Sequence, residues 1–391
     1  MKDRIYSLLF LLTALFSFFL IFQTLKSVKF YPQADEGYYF KYASYIAENG
    51  VSGFSAICKW YIENKDKWLQ GPDPLRIGSI LLGALFIKIW GANFLSLSYL
   101  SLLSFFFLLL FWFYFISKYF DYKTAFFSSL LLAFSPLDMG MARRALTDSL
   151  TALFSILSIF LFFDYLEAKG KIRYILFILT YSLCILIKQI SFFLVFPFFL
   201  WLCIHWLSSR IFRLKEFLLL IIPPFIVFLV WIGIAGFFYT IELIKIYLVY
   251  PNPNPSYGIL LCSGPWFKPF LDLLLLSPIV TILFLGYIIS FKFFKFTKEE
   301  LYLLVITISS LFLIYYFQKI IRYVMFLDAP IRLFSLLMLK KFFEGKFFIL
   351  LLLIIAIIGI LDLLSFYHLF VICGIYDPIS LWLLKARRLI P

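Results

Sequence analysis

Charge is scarce in this chain: Asp, Glu, Lys and Arg make up only 14% of its 391 residues, where soluble domains carry about 25%. That shortage excludes an ordinary soluble domain, because most of the 64% hydrophobic residues would have nothing to bury against. Histidine is nearly absent, with only His205 and His368, and the five cysteines (Cys58, Cys184, Cys203, Cys262 and Cys373) form no CxxC pair. Zinc-site and redox-motif spacings are thereby excluded. Cys58 and Cys262 share the expected outer side, but spacing alone does not supply the geometry of a disulfide, and they are read as unpaired. Acidic residues are fewer than basic ones, 21 against 35, for a net charge of +14. The basic excess is not gathered into a soluble patch, so no nucleic-acid partner is expected. It sits in small clusters at the ends of apolar runs, as topology signals that also attract anionic lipid headgroups. No internal repeat, low-complexity linker or soluble domain is readable.

What the chain has in abundance is apolar length. Phe contributes 53 residues and Tyr 25, an excess suited to lipid-facing surfaces and interfacial belts. Runs of about 20 apolar residues, each enough to cross a hydrocarbon core, recur from Ile5 to Tyr367. The expected architecture is an all-α polytopic membrane protein of about eleven spans, with ten to twelve as the range. The first run follows Lys2 and Arg4, is too long for a signal-peptide core and lacks a small-residue cleavage site. It is read as an uncleaved first span with the N-terminus cytoplasmic.

Basic clusters at Lys118/Lys123, Lys169/Lys171/Arg173, Arg210/Arg213/Lys215, Lys292/Lys295/Lys298 and Lys340/Lys341/Lys346 then mark the inner loops. The segment 26–96 becomes a long outer loop and 239–268 a second one. Within the first, Ile77–Trp90 is apolar but short for a span, and is read as a juxtamembrane or re-entrant helix. Reading it as a full span would flip every later loop and put the basic clusters outside. Residues 370–384 are left open between a twelfth span and an interfacial helix. The whole chain is expected to form one membrane domain, 1–391, in the plasma (inner) membrane.

Candidate chemistry gathers on the outer side. Asp35 and Glu36 lie about ten residues past the first span, within Tyr31-Pro32-Gln33-Ala34-Asp35-Glu36-Gly37-Tyr38-Tyr39. Adjacent carboxylates at a membrane surface suit general-base work, since partial burial and mutual repulsion raise a carboxyl pKa. They equally suit the positive end of a helix. The block Ser135-Pro136-Leu137-Asp138, continuing to Arg143-Arg144-Ala145-Leu146-Thr147-Asp148, falls on the same side. Arg144 and Asp148 are spaced i,i+4 and can pair on a helix, which leaves Arg143 for a phosphate clamp. Lys188 and Arg322 read either as helix-end snorkelers or as anion ligands. Trp60, Tyr61 and Trp68 read as interfacial anchors or as a stacking surface for a sugar. His205 is read as structural.

With these motifs in hand, the chain resembles the GT-C glycosyltransferases, in particular the protein O-mannosyltransferases and the bacterial aminoarabinose transferases. The resemblance rests on Asp35-Glu36-Gly37-Tyr38, on Pro72-Asp73-Pro74-Leu75, on the Arg143–Asp148 block and on Lys188-Gln189. Later echoes are Gly264-Pro265-Trp266, Leu276-Ser277-Pro278 and Arg322-Tyr323. It implies a GT-C fold and an inverting transfer of a sugar from a polyprenyl-phosphate donor to a lipid, glycan or protein acceptor at the outer face. Asp35 would be the general base, with Glu36 orienting it or the acceptor. Arg143, Arg144, Lys188, Arg76 and, more weakly, Arg322 would hold the lipid phosphate, with Asp148 and Tyr38 in support. Two departures stand out. Asp73-Pro74-Leu75-Arg76 replaces a His-Pro-Pro-Leu-like sequence, and Tyr99 stands where the family often has an arginine. No cofactor is expected; Asp35, Glu36 and Asp148 offer oxygens a divalent cation could use, without a dedicated cage.

The rival reading is a transporter or lipid flippase. Such proteins tend to show repeat symmetry and midplane binding residues. Here the spans are almost uncharged apart from Arg332 and Asp362, although Pro223-Pro224 interrupts one of them. A noncatalytic scaffold that keeps the fold is a third reading.

Overall fold

The computed structural model describes residues 2–64, 71–209, 214–249, 264–290, 295–317, 319–343 and 347–390. Among these residues the chain is helical, without strands. In chain order the helices are α1 Lys2–Thr24, α2 Asp35–Asn49, α3 Phe54–Glu63, α4 Ile77–Trp90, α5 Phe94–Tyr119 and α6 Tyr122–Ala133. Next come α7 Pro136–Ala142, α8 Asp148–Ala168, α9 Lys171–Ile187, α10 Val195–Ser209, α11 Leu214–Ala235 and α12 Phe237–Val249. The remainder are α13 Lys268–Leu276, α14 Pro278–Ile289, α15 Lys298–Phe317, α16 Asp328–Phe343, α17 Phe348–Phe366 and α18 Ser380–Ala386.

The protein is a multi-pass membrane protein. Six helices among the described residues are long and apolar enough to cross a bilayer, or seven if α6 and α7, bent by 60°, count as one span. That bend falls at Ser135-Pro136, where the residue before a proline is pushed out of helical geometry and Ser135 caps the new helix through the Asp138 N–H. Applied to the described residues, this criterion does not confirm the expected eleven spans. Expected spans fall on helices that are short, such as α14 with 12 residues, or cut by a 3₁₀ segment, as at Ile321–Leu327. Ile77–Trp90 is one continuous 14-residue helix, as its length suggested. The tail resolves into a π-helical turn, Tyr367–Ile372, and the seven-residue α18, far short of a twelfth span.

The chain splits into two compact units interleaved in sequence: Met1–Val28, Leu102–Arg143 and Gly264–Pro391 in the first, Lys29–Ser101 and Arg144–Ser263 in the second. In the first unit α1 packs on α6, and α16 packs on α6, α14 and α17. Ser17 on α1 donates to the Ala133 carbonyl (2.6 Å), and Phe10 stacks on Phe113 (4.1 Å). Arg332 and Asp362, the charges that stood out within apolar runs, meet there. The Arg332 guanidinium binds Asp328 and Asp362, each at 2.6 Å, together with the Leu131 carbonyl and the Ser277 hydroxyl. A guanidinium this deeply buried must have its donors satisfied within the protein. In the second unit α2 packs along α4, and α9 packs on α4, α8 and α11. Gly78 lets α4 lie against the α9 backbone: a Cβ there would stand 3.1 Å from the Leu186 carbonyl carbon. Tyr42, Phe54, Ile57, Tyr61, Ile80 and Leu243 form a core beneath α2 and α3.

Candidate functional site

The second unit gathers most of the expected site residues at a meeting of helix ends. Asp35 and Glu36 open α2, Arg76 stands at the head of α4, Asp148 opens α8, and Lys188 closes α9. The chain can begin α2 here because carboxylates favour a helix N-terminus and because Gly37 lets the incoming loop close down. A Cβ on Gly37 would stand 1.8 Å from the Pro32 carbonyl oxygen. Gly37→Ala is therefore expected to force the 31–34 approach apart, at about 1–3 kcal/mol or more of overpacking strain. A lowered melting temperature together with lost activity would check this.

Glu36 is buried and fully used. Its carboxylate takes Nε and Nη2 of Arg144, both at 2.9 Å, and accepts from the backbone N–H groups of Ala145 (3.2 Å) and Tyr31 (3.3 Å). Arg144 also donates to the Lys29 carbonyl and lies over the Tyr31 ring. The strong partner of Arg144 is Glu36 rather than a residue on α8. Arg144 lies in the bend ahead of α8, so helical spacing does not apply to it. Asp148 takes Lys188 Nζ at 2.6 Å, with both side chains buried. That ion pair joins the N-terminus of α8 to the C-terminus of α9, with each charge on the helix end that favours it.

Asp35 is half-buried, and its charge adds to the burial that raises the pKa of both Tyr38 and Tyr39. Tyr39 is the hub that sequence reading passed over. Its hydroxyl accepts from Arg76 Nη1 and from Thr147 Oγ1 (3.3 Å), and burial pushes it up to about 12 against the pull of Arg76. Arg76 Nε donates to Gln189 Oε1 (3.2 Å), and Gln189 Nε2 donates to Asp73 Oδ1 (2.7 Å). Burial raises the Asp73 carboxyl, opposed by Arg76, by the Leu75 N–H and by Gln189. A continuous polar chain thus runs from Asp73 through Gln189, Arg76 and Tyr39 to Thr147. The signals for Gln189 and Tyr39 were their places beside Lys188 and within the Asp35 motif, but a neutral side chain gave no reason to single them out. A cavity of about 20 Å³ opens beside the Tyr39 and Thr147 hydroxyls, walled by Leu97, Leu100 and Leu146, with room for about one water.

Three expected site features are held by partners outside this cluster of hydrogen bonds. Arg143 belongs to the first unit, where it is buried and donates to the Thr24 and Phe370 carbonyls and to Ser27. Arg322, also in the first unit and buried, pairs with Asp377 at 2.5 Å. Of the aromatic group, Tyr61 is buried with its hydroxyl on the Gly71 carbonyl (3.2 Å), Trp60 is covered by Lys41 (3.8 Å), and Trp68 lies outside the described residues, as does Cys262. Cys58 is a free thiol, raised to about 12 chiefly by burial.

Comparison with known proteins agrees with the resemblance. Residues 77–231 match the family model described as dolichyl-phosphate-mannose-protein mannosyltransferase. No curated protein matches the sequence. Among solved structures, ArnT from Cupriavidus metallidurans bound to undecaprenyl phosphate is similar over 98% of this chain and 68% of its own, at 14% identity and a TM-score of 0.59. The same ArnT in the apo state is similar over 99% and 69%, again at 14% identity, with a TM-score of 0.54. The expected GT-C fold is the fold observed, and the resemblance read from the sequence is borne out.

Proposed function

We propose that this chain is a membrane glycosyltransferase that moves a sugar from a polyprenyl-phosphate donor to a lipid, glycan or protein hydroxyl. The transfer takes place at the extracytoplasmic face of the plasma (inner) membrane, the N-terminus being cytoplasmic. The observation that carries the reading is the half-buried Asp35 at the head of α2, in the same unit as Arg76, Lys188 and Arg144, each held by fixed partners. Support comes also from the mannosyltransferase family match and from the likeness to ArnT, solved with undecaprenyl phosphate.

In this reading Asp35 takes the proton of the acceptor hydroxyl as its oxygen attacks the anomeric carbon. The bond from that carbon to the phosphate oxygen breaks, and polyprenyl phosphate leaves. Attack opposite the leaving group inverts the anomeric centre. Arg76 answers the charge that develops on the phosphate, because a guanidinium offers two parallel donors. Glu36 and Arg144 hold the floor of the site, and Lys188 with Asp148 holds its wall.

The test is turnover by purified protein in lipid, offered a panel of polyprenyl-phosphate sugars. Release of free polyprenyl phosphate with sugar transfer supports the reading; no donor bound and none turned over across the panel sinks it. Arg76→Ala is expected to weaken donor use by about 10–100-fold in kcat/KM, the range for losing a hydrogen bond to a charged group. Arg76→Lys should recover only part of that, since an ammonium lacks the planar fork.

A further inference from the structure

We propose that Gln189 and Asp73 are positioning residues for Arg76, setting the plane in which its guanidinium meets the phosphate of a polyprenyl-phosphate donor. The proposal rests on Arg76 acting as a phosphate ligand, as proposed above, and extends that role to two residues that work through it. All three lie in the second unit. Arg76 and Gln189 are both half-buried, so the pair keeps some access from outside the protein.

The support begins in the loop ahead of α4, whose backbone is pinned at three carbonyls. The Tyr61 hydroxyl donates to Gly71 (3.2 Å), the Tyr42 hydroxyl to Pro72 (3.3 Å) and Trp231 Nε1 to Leu75 (2.9 Å). Asp73 turns back onto this loop and takes the Leu75 N–H on Oδ1 at 2.9 Å. The same oxygen accepts from Gln189 Nε2 at 2.7 Å. Gln189 is steadied from its own side as well. The preceding residue, Lys188, ends α9 in an extended conformation and is tied to Asp148 at 2.6 Å.

Chemistry then chooses the orientation of the amide. An ionised carboxylate only accepts and a guanidinium only donates. A glutamine between the two has one working arrangement, with Nε2 toward Asp73 and Oε1 toward Arg76 Nε (3.2 Å). Arg76 Nη1 donates meanwhile to the Tyr39 hydroxyl. Anchors on two different nitrogens stop a planar group from swinging, where a single anchor would leave it a pivot. Gln189 provides its anchor with a neutral oxygen, which holds the guanidinium without cancelling its charge. A long side chain loses rotamer freedom when it engages an anion, and a guanidinium set in place beforehand loses less of it on binding. The paired donors that suit a phosphate are useful only when their plane points at it.

The experiment measures binding of undecaprenyl phosphate by the full chain in lipid, with Gln189→Met placed in two backgrounds, wild type and Arg76→Ala. Met keeps the length of the side chain and loses both hydrogen bonds. The expected result is binding weakened by about 3–10-fold where Arg76 is present, the range for one net hydrogen bond. In the Arg76→Ala background the same substitution should change nothing, because a residue that acts only through Arg76 has nothing left to act on. Asp73→Asn keeps an acceptor oxygen but no longer dictates the amide's orientation, so it should lose less than Gln189→Met. Should Gln189→Met fail to fold, Asp73→Asn in the same two backgrounds decides. Equal losses in both backgrounds would make the role one of packing and overturn the proposal. So would unchanged binding in both, or a wild type that does not bind undecaprenyl phosphate. A wild type that binds it but transfers sugar from no donor would end the glycosyltransferase reading, while the comparison of backgrounds still decides the positioning role.

Discussion

Replacing Asp35 with Asn is expected to cut sugar transfer by about 10²–10⁴-fold, the usual worth of a general base, while leaving donor binding unchanged. Asn keeps the size of the side chain and its compatibility with a helix start, so α2 should still form on Gly37 and the Glu36 clamp. What it loses is the ability to take a proton. In the proposed mechanism the donor phosphate is held by cations on other elements, so its binding should not change. Measuring donor affinity and single-turnover transfer side by side separates the two effects. Equal transfer by both proteins would remove Asp35 from the mechanism. A joint loss of binding and turnover would make it a donor ligand. The neighbouring Tyr39 offers an internal control, because Tyr39→Phe removes the hydroxyl that accepts from Arg76 and Thr147 and leaves the base in place. Its defect should appear in KM before it appears in kcat.

Much of this architecture is written in features that survive without tertiary information. Long apolar runs and basic clusters specify a membrane protein, and the Asp35-Glu36 pair, Arg144, Asp148 and Lys188 identify themselves as charges next to apolar sequence. The partners of those charges were not legible. Arg143 and Arg144 are adjacent and identical in type, yet one binds the Thr24 and Phe370 carbonyls and the other binds Glu36. Which way each points is set by the bend of residues 143–147, and sequence spacing has no purchase on a bend. For the same reason the i,i+4 spacing of Arg144 and Asp148 did not point to the Glu36 and Lys188 partners they take. The count of eleven spans is not confirmed, because a helix as short as α14 does not register as a span by length. Arg332 and Asp362 looked like isolated exceptions, being 30 residues apart in sequence but 2.6 Å apart in space. Gln189 and Asp73 were legible as residues of motifs but not as a relay, since a hydrogen bond across 116 positions leaves no periodic trace.

The Glu36–Arg144 pair should show the opposite behaviour to Asp35: a large loss of stability, out of proportion to any chemistry. Glu36→Ala strips a buried guanidinium of its bidentate partner and leaves two backbone N–H groups, those of Ala145 and Tyr31, without their acceptor. Breaking one side of a buried pair costs about 3–5 kcal/mol. Chemical or thermal unfolding in detergent should register that loss directly. The double replacement Glu36→Met with Arg144→Met removes both charges and fills the space with apolar volume, so it should be less destabilised than Glu36→Ala alone. The ordering of single and double variants carries the argument, because a clamp predicts recovery in the double and a catalytic carboxylate does not. If Glu36→Ala folds as well as the wild type but transfers no sugar, Glu36 works on the substrate, and the division of labour between the two adjacent carboxylates would have to be reversed.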